Sequence, residues 1–310
     1  MTEAISKAAS RLEKLNIRYE TGSPLAARTS FRIGGPADLA VFPSDAAGFA
    51  AAEEVVRDCG IPSMTVGRGT NLLFSDEGVR GAVLFTTEMD ACTVERNILT
   101  AAAGCRLASL ASKAAAASLS GLEFAHGIPG SVGGGVVMNA GAYGGQLSDR
   151  LRSVTVYDGE SRTVFRMDAP ELDLSYRHSV LQDRPGLTVL EAVFEASPGD
   201  AGEISALMKD LAARRRDKQP LEYPSAGSVF KRPGPEIYVG KMIQDAGLKG
   251  YRVGGAEVSE KHAGFIVNRG GATCSDVLGL IKTIQNRLGE LYGIVPDVEI
   301  RIVPETISRK

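Results

Sequence analysis

Two glycine-bearing stretches are the parts of this chain whose composition could do chemistry. Residues 127–146 read GIPGSVGGGVVMNAGAYGGQ and hold eight of the chain's 36 glycines. No Asp, Glu, Lys or Arg lies between Glu123 and Asp149. Glycine inside a regular element costs about 0.5–1 kcal/mol relative to Ala, so such density is kept where backbone must take positive φ or approach something closely. A ligand met by bare peptide N–H groups is usually an anion such as a phosphate. A loop packed for its own sake is the alternative. The second stretch is Gly67-Arg68-Gly69-Thr70-Asn71-Leu72, directly after a predicted strand. A Rossmann fingerprint would need a third glycine where Leu72 stands and a helix behind it, and both are missing. No Gly-Lys-Ser or Gly-Lys-Thr marks a Walker loop. Two glycine loops remain, both able to offer N–H donors to one pyrophosphate.

The elements that must position these loops follow from periodicity. Ile5, Ala8, Leu12 and Leu15 recur at helical spacing, so the N-terminus is expected to form an amphipathic helix. Strands are expected over 37–42, 61–66, 82–86 and 98–103, with helices over 45–58 and 106–119. After the glycine stretch come predicted strands at 154–157, 163–167 and 188–196. From SPGD at 197–200 the texture changes to a helix over 203–216 and a loop, QPLEYPSAGSVFKRPGP, punctuated by Pro and Gly. A helix over 238–246, a strand over 265–268 and a long helix over 276–292 follow. Thr273 and Asp276 are spaced as a capping box and Gly293 as a C-terminal stop. Residues 298–303 read as a closing strand with Val298, Ile300 and Ile302 turned inward. The pattern predicts an α+β protein of two domains with a boundary near residue 198.

Composition excludes several classes. The chain has 310 residues, and 35 Lys and Arg against 37 Asp and Glu give a net charge of −2, which argues against a nucleic-acid partner. No run of eighteen apolar residues could span a bilayer, and the charged N-terminus carries no signal-peptide core. Cys59, Cys92, Cys105 and Cys274 are scattered, which together with the missing signal predicts reduced thiols and a cytoplasmic location. His126, His178 and His262 form no ligand-like pattern, so no metal site is expected.

The motifs TSFRIGGPA, VGRGTNLL, GIPGSVGG with NAGAYGG, SYR and AGSVFKRP stand in an order that resembles the UDP-N-acetylenolpyruvoylglucosamine reductases. The resemblance runs from about Thr29 to the C-terminus. The short connection after SYR is similar to the family's second subtype, which lacks an extra substrate loop. The family implies a lead-in over 1–28 and an FAD-binding domain of the vanillyl-alcohol-oxidase or p-cresol-methylhydroxylase type over 29–197. A smaller α+β substrate domain over 198–310 follows. It implies non-covalent FAD held by Gly67, Arg68, Gly69, Thr70, Asn71 and Leu72 together with Gly130, Ser131, Asn139, Ala140 and Gly141. His126 is the nearby candidate for a covalent link, which the family does not use.

The implied reaction uses NADPH to reduce the enolpyruvyl ether of UDP-N-acetylglucosamine enolpyruvate, with no obligate protein partner. In the family's pattern Arg177 holds the substrate carboxylate, Ser228 donates a proton and Glu299 assists. Tyr143, Lys218 and Lys231 match substrate-contact positions, while Arg232 stands where many relatives carry an asparagine. His262 reads as structural. Two alternatives stay open at this point: a flavin-dependent alcohol oxidase of the same fold, and a nucleotide-binding module without catalysis.

Overall fold

The computed structural model describes residues 2–234 and 236–303, and these divide by their contacts into two compact units that interleave along the chain. One comprises Met1–Thr21, Leu39–Arg68 and Ala82–Arg215, the other Gly22–Asp38, Gly69–Gly81 and Arg216–Lys310. The sequence suggested a linear order of domains. The interleaving arises because the strands Arg18–Pro24, Pro36–Phe42 and Val79–Phe85 each run from one unit into the other.

The first unit has two cores. In one, the helices Glu3–Lys14 and Ala46–Asp58 place Ile5, Ala8, Leu12, Phe49, Ala52 and Val56 over Leu39, Val41 and Leu84. Three of the four residues expected on the inner face of the first helix are buried. Leu15 is 48% exposed because the helix ends one residue earlier and Leu15 serves as its C-cap. In the other core, a five-stranded sheet runs in the order Thr163–Asp168, Leu151–Asp158, Leu187–Glu195, Ile98–Ala102, Cys92–Glu95, all antiparallel. Inward residues such as Leu99, Val154, Val156, Ala192 and Phe194 meet Leu110 and Ala114 of the helix Leu107–Ala116. That helix stops short of the expected 119, and Ser118 turns the chain at φ 54°. The glycine stretch contributes the short helix Val132–Val137, whose Val132 and Val136 join the same core.

The second unit is built on the antiparallel sheet Ser225–Ser228, Phe265–Asn268, Ala256–Val258, Arg252–Val253. The helix Cys274–Tyr292 covers it with Val277, Leu280, Ile281, Ile284 and Leu288, an i, i+3, i+4, i+7 stripe. Its start is heavily specified. Thr273 and Asp276 form the expected capping box, and Asp76 accepts the N–H groups of Cys274 at 2.6 Å and Ser275 at 3.1 Å. Gly293 ends it at φ 67°. The closing strand is shorter than expected, covering Arg301–Val303 and pairing in parallel with Leu72–Phe74. Residues 297–299 pair instead with 229–231, through Lys231 N–H to Asp297 C=O at 2.9 Å and Glu299 N–H to Val229 C=O at 2.7 Å. This change of partner breaks the expected alternation, so Ile300 and Val303 are buried and Ile302 is 40% exposed.

Backbone N–H groups of Thr273 and Gly255 hold the Asp276 carboxyl below the usual carboxylate range. A depressed folded-state pKa adds stability above the unfolded value, about 4, and that contribution disappears as pH falls through the folded value. Asp276→Asn is therefore expected to melt below the parent at neutral pH and to converge on it as pH falls below the usual carboxylate range. Calorimetry across that range checks this, and parallel curves would contradict it.

Candidate active site

Within the first unit the two glycine loops meet. A Cβ built on Gly67 would lie 2.2 Å from Ser131 Oγ, so the backbone of the first loop rests directly on the second. Ser131 is buried, its hydroxyl accepts the Gly134 N–H at 3.5 Å, and Gly130 before it takes φ 142°. The second loop is tied down by Leu107 N–H to Gly130 C=O at 3.2 Å and Val132 N–H to Cys105 C=O at 2.8 Å. Residues 69–72 belong to the second unit. There Gly69, at φ 60°, accepts the Ser30 N–H at 3.1 Å, and a Cβ on it would come within 2.5 Å of Arg28 C=O.

Arg68 carries the electrostatic signature of an anion site. Its guanidinium donates one hydrogen bond, from Nη2 to Gly104 C=O at 3.1 Å. Its Nε is buried with no hydrogen-bond partner among the described residues. Burial, and then the neighbouring charge of Arg106, push its pKa below the ordinary guanidinium value. A desolvated cation beside a second cation is stabilised by a bound anion, so Arg68, Gly67, Gly130 and Ser131 fit a pyrophosphate. Charge-assisted hydrogen bonds contribute about 1.5–3 kcal/mol, so Arg68→Ala is expected to weaken FAD binding roughly 10- to 150-fold. Flavin fluorescence titration of the apoprotein reads this, and unchanged affinity would remove Arg68 from the site.

Asn139 is 1% exposed and sits at φ 40°. Its amide donates to Ser175 C=O at 3.0 Å and to Gln146 Oε1 at 3.4 Å, while its Oδ1 accepts the Ser148 N–H at 3.0 Å. The side chain is committed to the protein, so contact with a cofactor would come from its backbone and from Ala140 and Gly141. Arg177 lies in the turn 175–178, closed by Ser175 and His178 exchanging N–H to C=O bonds at 3.2 Å. It takes φ 56° and donates from Nη2 to Gly141 C=O at 3.2 Å. Tyr143, also left-handed at φ 55°, is 45% exposed. Thus Arg177 and the end of the glycine stretch are in contact, which spacing alone did not reveal.

One cation near this stretch escaped the sequence reading. Gly127 lies against Arg215, whose Cδ would be 3.2 Å from a Cβ built there. Burial lowers the pKa of Arg215, and Tyr143 acts in the opposite direction. The uncharged stretch therefore has a positive neighbour besides Arg68. In the sequence Arg215 is the middle of three arginines at a helix end, and nothing there distinguishes it from the exposed Arg214 and Arg216.

In the second unit, Ser228 ends the strand Ser225–Ser228 and pairs with Phe265. Val229 N–H donates to Gly264 C=O at 2.9 Å, and Val229 C=O receives the Glu299 N–H. Ser228 and Glu299 are thus carried on adjacent backbone segments, both half-buried. Glu299 is pinned again by Asn71 Nδ2, which donates to its carbonyl at 3.2 Å, while Asn71 C=O accepts the Arg301 N–H at 2.9 Å. Lys231 is half-buried and its backbone lies in the same pairing, whereas Lys218 is exposed at the end of the helix Ala201–Lys218. Arg232 stacks on the Tyr238 ring at 4.6 Å. His262, half-buried, accepts the Gly264 N–H on Nδ1 at 3.1 Å and packs edge-on against Phe265. That fits the structural role expected of it.

The segment that carries both glycine loops belongs to a recognisable class, because residues 37–166 match the FAD binding domain family. The protein is a flavoprotein of α+β architecture, with FAD as its cofactor. Residues 219–303 match the C-terminal domain of UDP-N-acetylenolpyruvoylglucosamine reductase. The UDP-N-acetylenolpyruvoylglucosamine reductase of Agathobacter rectalis is 48% identical over 91% of this chain and 93% of its own. That of Pseudothermotoga lettingae is 47% identical over 90% and 95%. The crystal structure of the enzyme from Thermus caldophilus superposes with a TM-score of 0.78 at 33% identity, covering 93% of this chain and 99% of that one. This chain belongs to the UDP-N-acetylenolpyruvoylglucosamine reductase family.

Proposed function

We infer that the protein reduces UDP-N-acetylglucosamine enolpyruvate to UDP-N-acetylmuramate, a step of peptidoglycan precursor synthesis. The observation that carries this is identity of 44–48% to several reductases of that name over about nine-tenths of the chain. Residues 29–197 are assigned to FAD binding and 198–310 to substrate binding. Among the described residues no helix is long and apolar enough to cross a membrane, which accords with a cytoplasmic task on a nucleotide-sugar.

FAD, when bound, would supply the hydride chemistry that links NADPH to reduction of the substrate's double bond at its terminal carbon. The chain's own residues manage the consequences. Gly67, Arg68, Gly130 and Ser131 would hold the pyrophosphate, with 69–72 and 139–141 completing the loops through their backbones. Arg177 binds the substrate carboxylate and, as the double bond is reduced, meets the negative charge that spreads over it as an enolate. Preorganised cations of this kind usually supply the largest single contribution to such steps. Ser228 then gives its hydroxyl proton to the substrate carbon α to the carboxylate. Glu299, held by Val229 and Asn71, orients the donor, and Lys231 on the neighbouring segment offers a cation. Tyr143 and Lys218 are assigned to the substrate's nucleotide portion.

The purified protein should be yellow, be bleached by NADPH, and regain its colour without oxygen when the enolpyruvyl nucleotide is added. Reoxidation by oxygen alone would point to an oxidase of the same fold. A colourless protein that rejects added FAD would remove both readings.

A further inference from the structure

We propose that Gln182 is a positioning residue for Arg177. The inference rests on the assignment of Arg177 to the substrate carboxylate. Arg177 sits in the left-handed region, which side chains with a Cβ avoid unless the surroundings over-determine the backbone. The turn 175–178 supplies part of that determination, and Asn139 fixes it at the Ser175 carbonyl. The Arg177 carbonyl is held from the other side. Gln182, on the short helix Val180–Asp183, donates from Nε2 to Arg177 C=O at 3.0 Å and to Val137 C=O at 2.9 Å.

Val137 is the last residue of the helix Val132–Val137 within the glycine stretch, and its carbonyl also accepts the hydroxyl of the buried Ser179 at 2.7 Å. A single amide therefore spends both of its N–H groups bridging the glycine stretch to the backbone of Arg177. The guanidinium reaches back to the same stretch at Gly141. Tied at carbonyl and side chain to segments four residues apart, Arg177 is held in one orientation. Without the Gln182 bridge one of the restraints on the left-handed backbone is lost, and relaxation toward negative φ would swing the guanidinium away from Gly141. Gln182 itself is exposed, so replacing it leaves no cavity in the core.

The test uses the FAD-loaded enzyme and follows its two half-reactions separately by anaerobic stopped flow. Gln182→Glu keeps the shape but turns carboxylate oxygens toward two carbonyls. It should leave flavin reduction by NADPH within about twofold of the parent and slow reoxidation by the enolpyruvyl nucleotide about 10- to 100-fold. Gln182→Lys, which restores N–H donors at similar reach, should recover most of that rate. In an Arg177→Lys background, Gln182→Glu should cost no more than about twofold further, because residues acting through one group are not additive. Normal reoxidation by Gln182→Glu, or equal loss of both half-reactions, overturns the inference while leaving Arg177 in place if Arg177→Lys is itself crippled. Normal reoxidation by Arg177→Lys removes the role of Arg177 and the inference with it.

Discussion

Replacing Ser228 with Ala is expected to leave NADPH-driven bleaching of the flavin intact and to slow reoxidation by the enolpyruvyl substrate by about 10²–10⁴-fold, the range typical of a lost general acid. The selectivity follows from where Ser228 sits. It ends a strand of the second unit, paired with Phe265, and Val229 behind it is fixed by Gly264 and Glu299. The residues proposed to hold the flavin, 67–72 and 130–141, lie outside the strand that carries Ser228, so removal of one hydroxyl should leave flavin binding intact. A hydroxyl is a weak acid in water, but an enolate is basic enough to accept its proton. Ser228→Cys should retain more reoxidation than Ser228→Ala, since a thiol with a usual pKa of about 8.5 is the stronger acid. Anaerobic single-turnover traces with each variant decide the matter. Equal loss in both half-reactions would show that Ser228 serves the fold and not the proton transfer.

The residues show how far local pattern reaches. The helix Cys274–Tyr292 was legible but for its first two residues, because its apolar stripe, capping box and terminal glycine are all local and all agree. The two glycine loops were legible as backbone that must approach something closely, and Gly67 resting on Ser131 is one such approach; a shared hold on a pyrophosphate is the proposal built on it. The strand Ser225–Ser228 was hidden inside a segment that reads as loop. Its Ser-Ala-Gly-Ser sequence has little strand propensity, and pairing with Phe265–Asn268 supplies the order instead. The closing strand departs from its alternating pattern for a related reason, since residues 297–299 and 301–303 pair with different segments and the inward face changes between them. Gln182 and Arg215 were invisible for lack of any local mark. Each matters only because the fold brings it to the glycine stretch, from 45 residues away for Gln182 and Val137.

Arg177→Lys should keep the charge yet fail the second half-reaction. A guanidinium can present two parallel N–H groups to a carboxylate, and an ammonium on a flexible stem cannot. The residue's position is held by φ 56°, a hydrogen bond from Nη2 to Gly141 C=O at 3.2 Å, and the Tyr176 ring 5.2 Å from its Cζ. Lysine at the same position would have to choose between the glycine-stretch carbonyl and the substrate. Loss of one charge-assisted bond, about 1.5–3 kcal/mol, slows reoxidation roughly 10- to 150-fold. The division between binding and rate is also predictable. The substrate carboxylate is singly charged in the ground state and gains electron density as the enolate forms, so the bond tightens on the way to the transition state. Contacts that strengthen there appear in the rate constant more than in the dissociation constant. Substrate concentration series in single-turnover reoxidation should therefore show a modest rise in apparent Kd and a larger fall in the limiting rate. A variant with an unchanged limiting rate and only weaker binding would make Arg177 an anchor for the carboxylate alone, and the stabilisation of the enolate would have to be sought at Lys231.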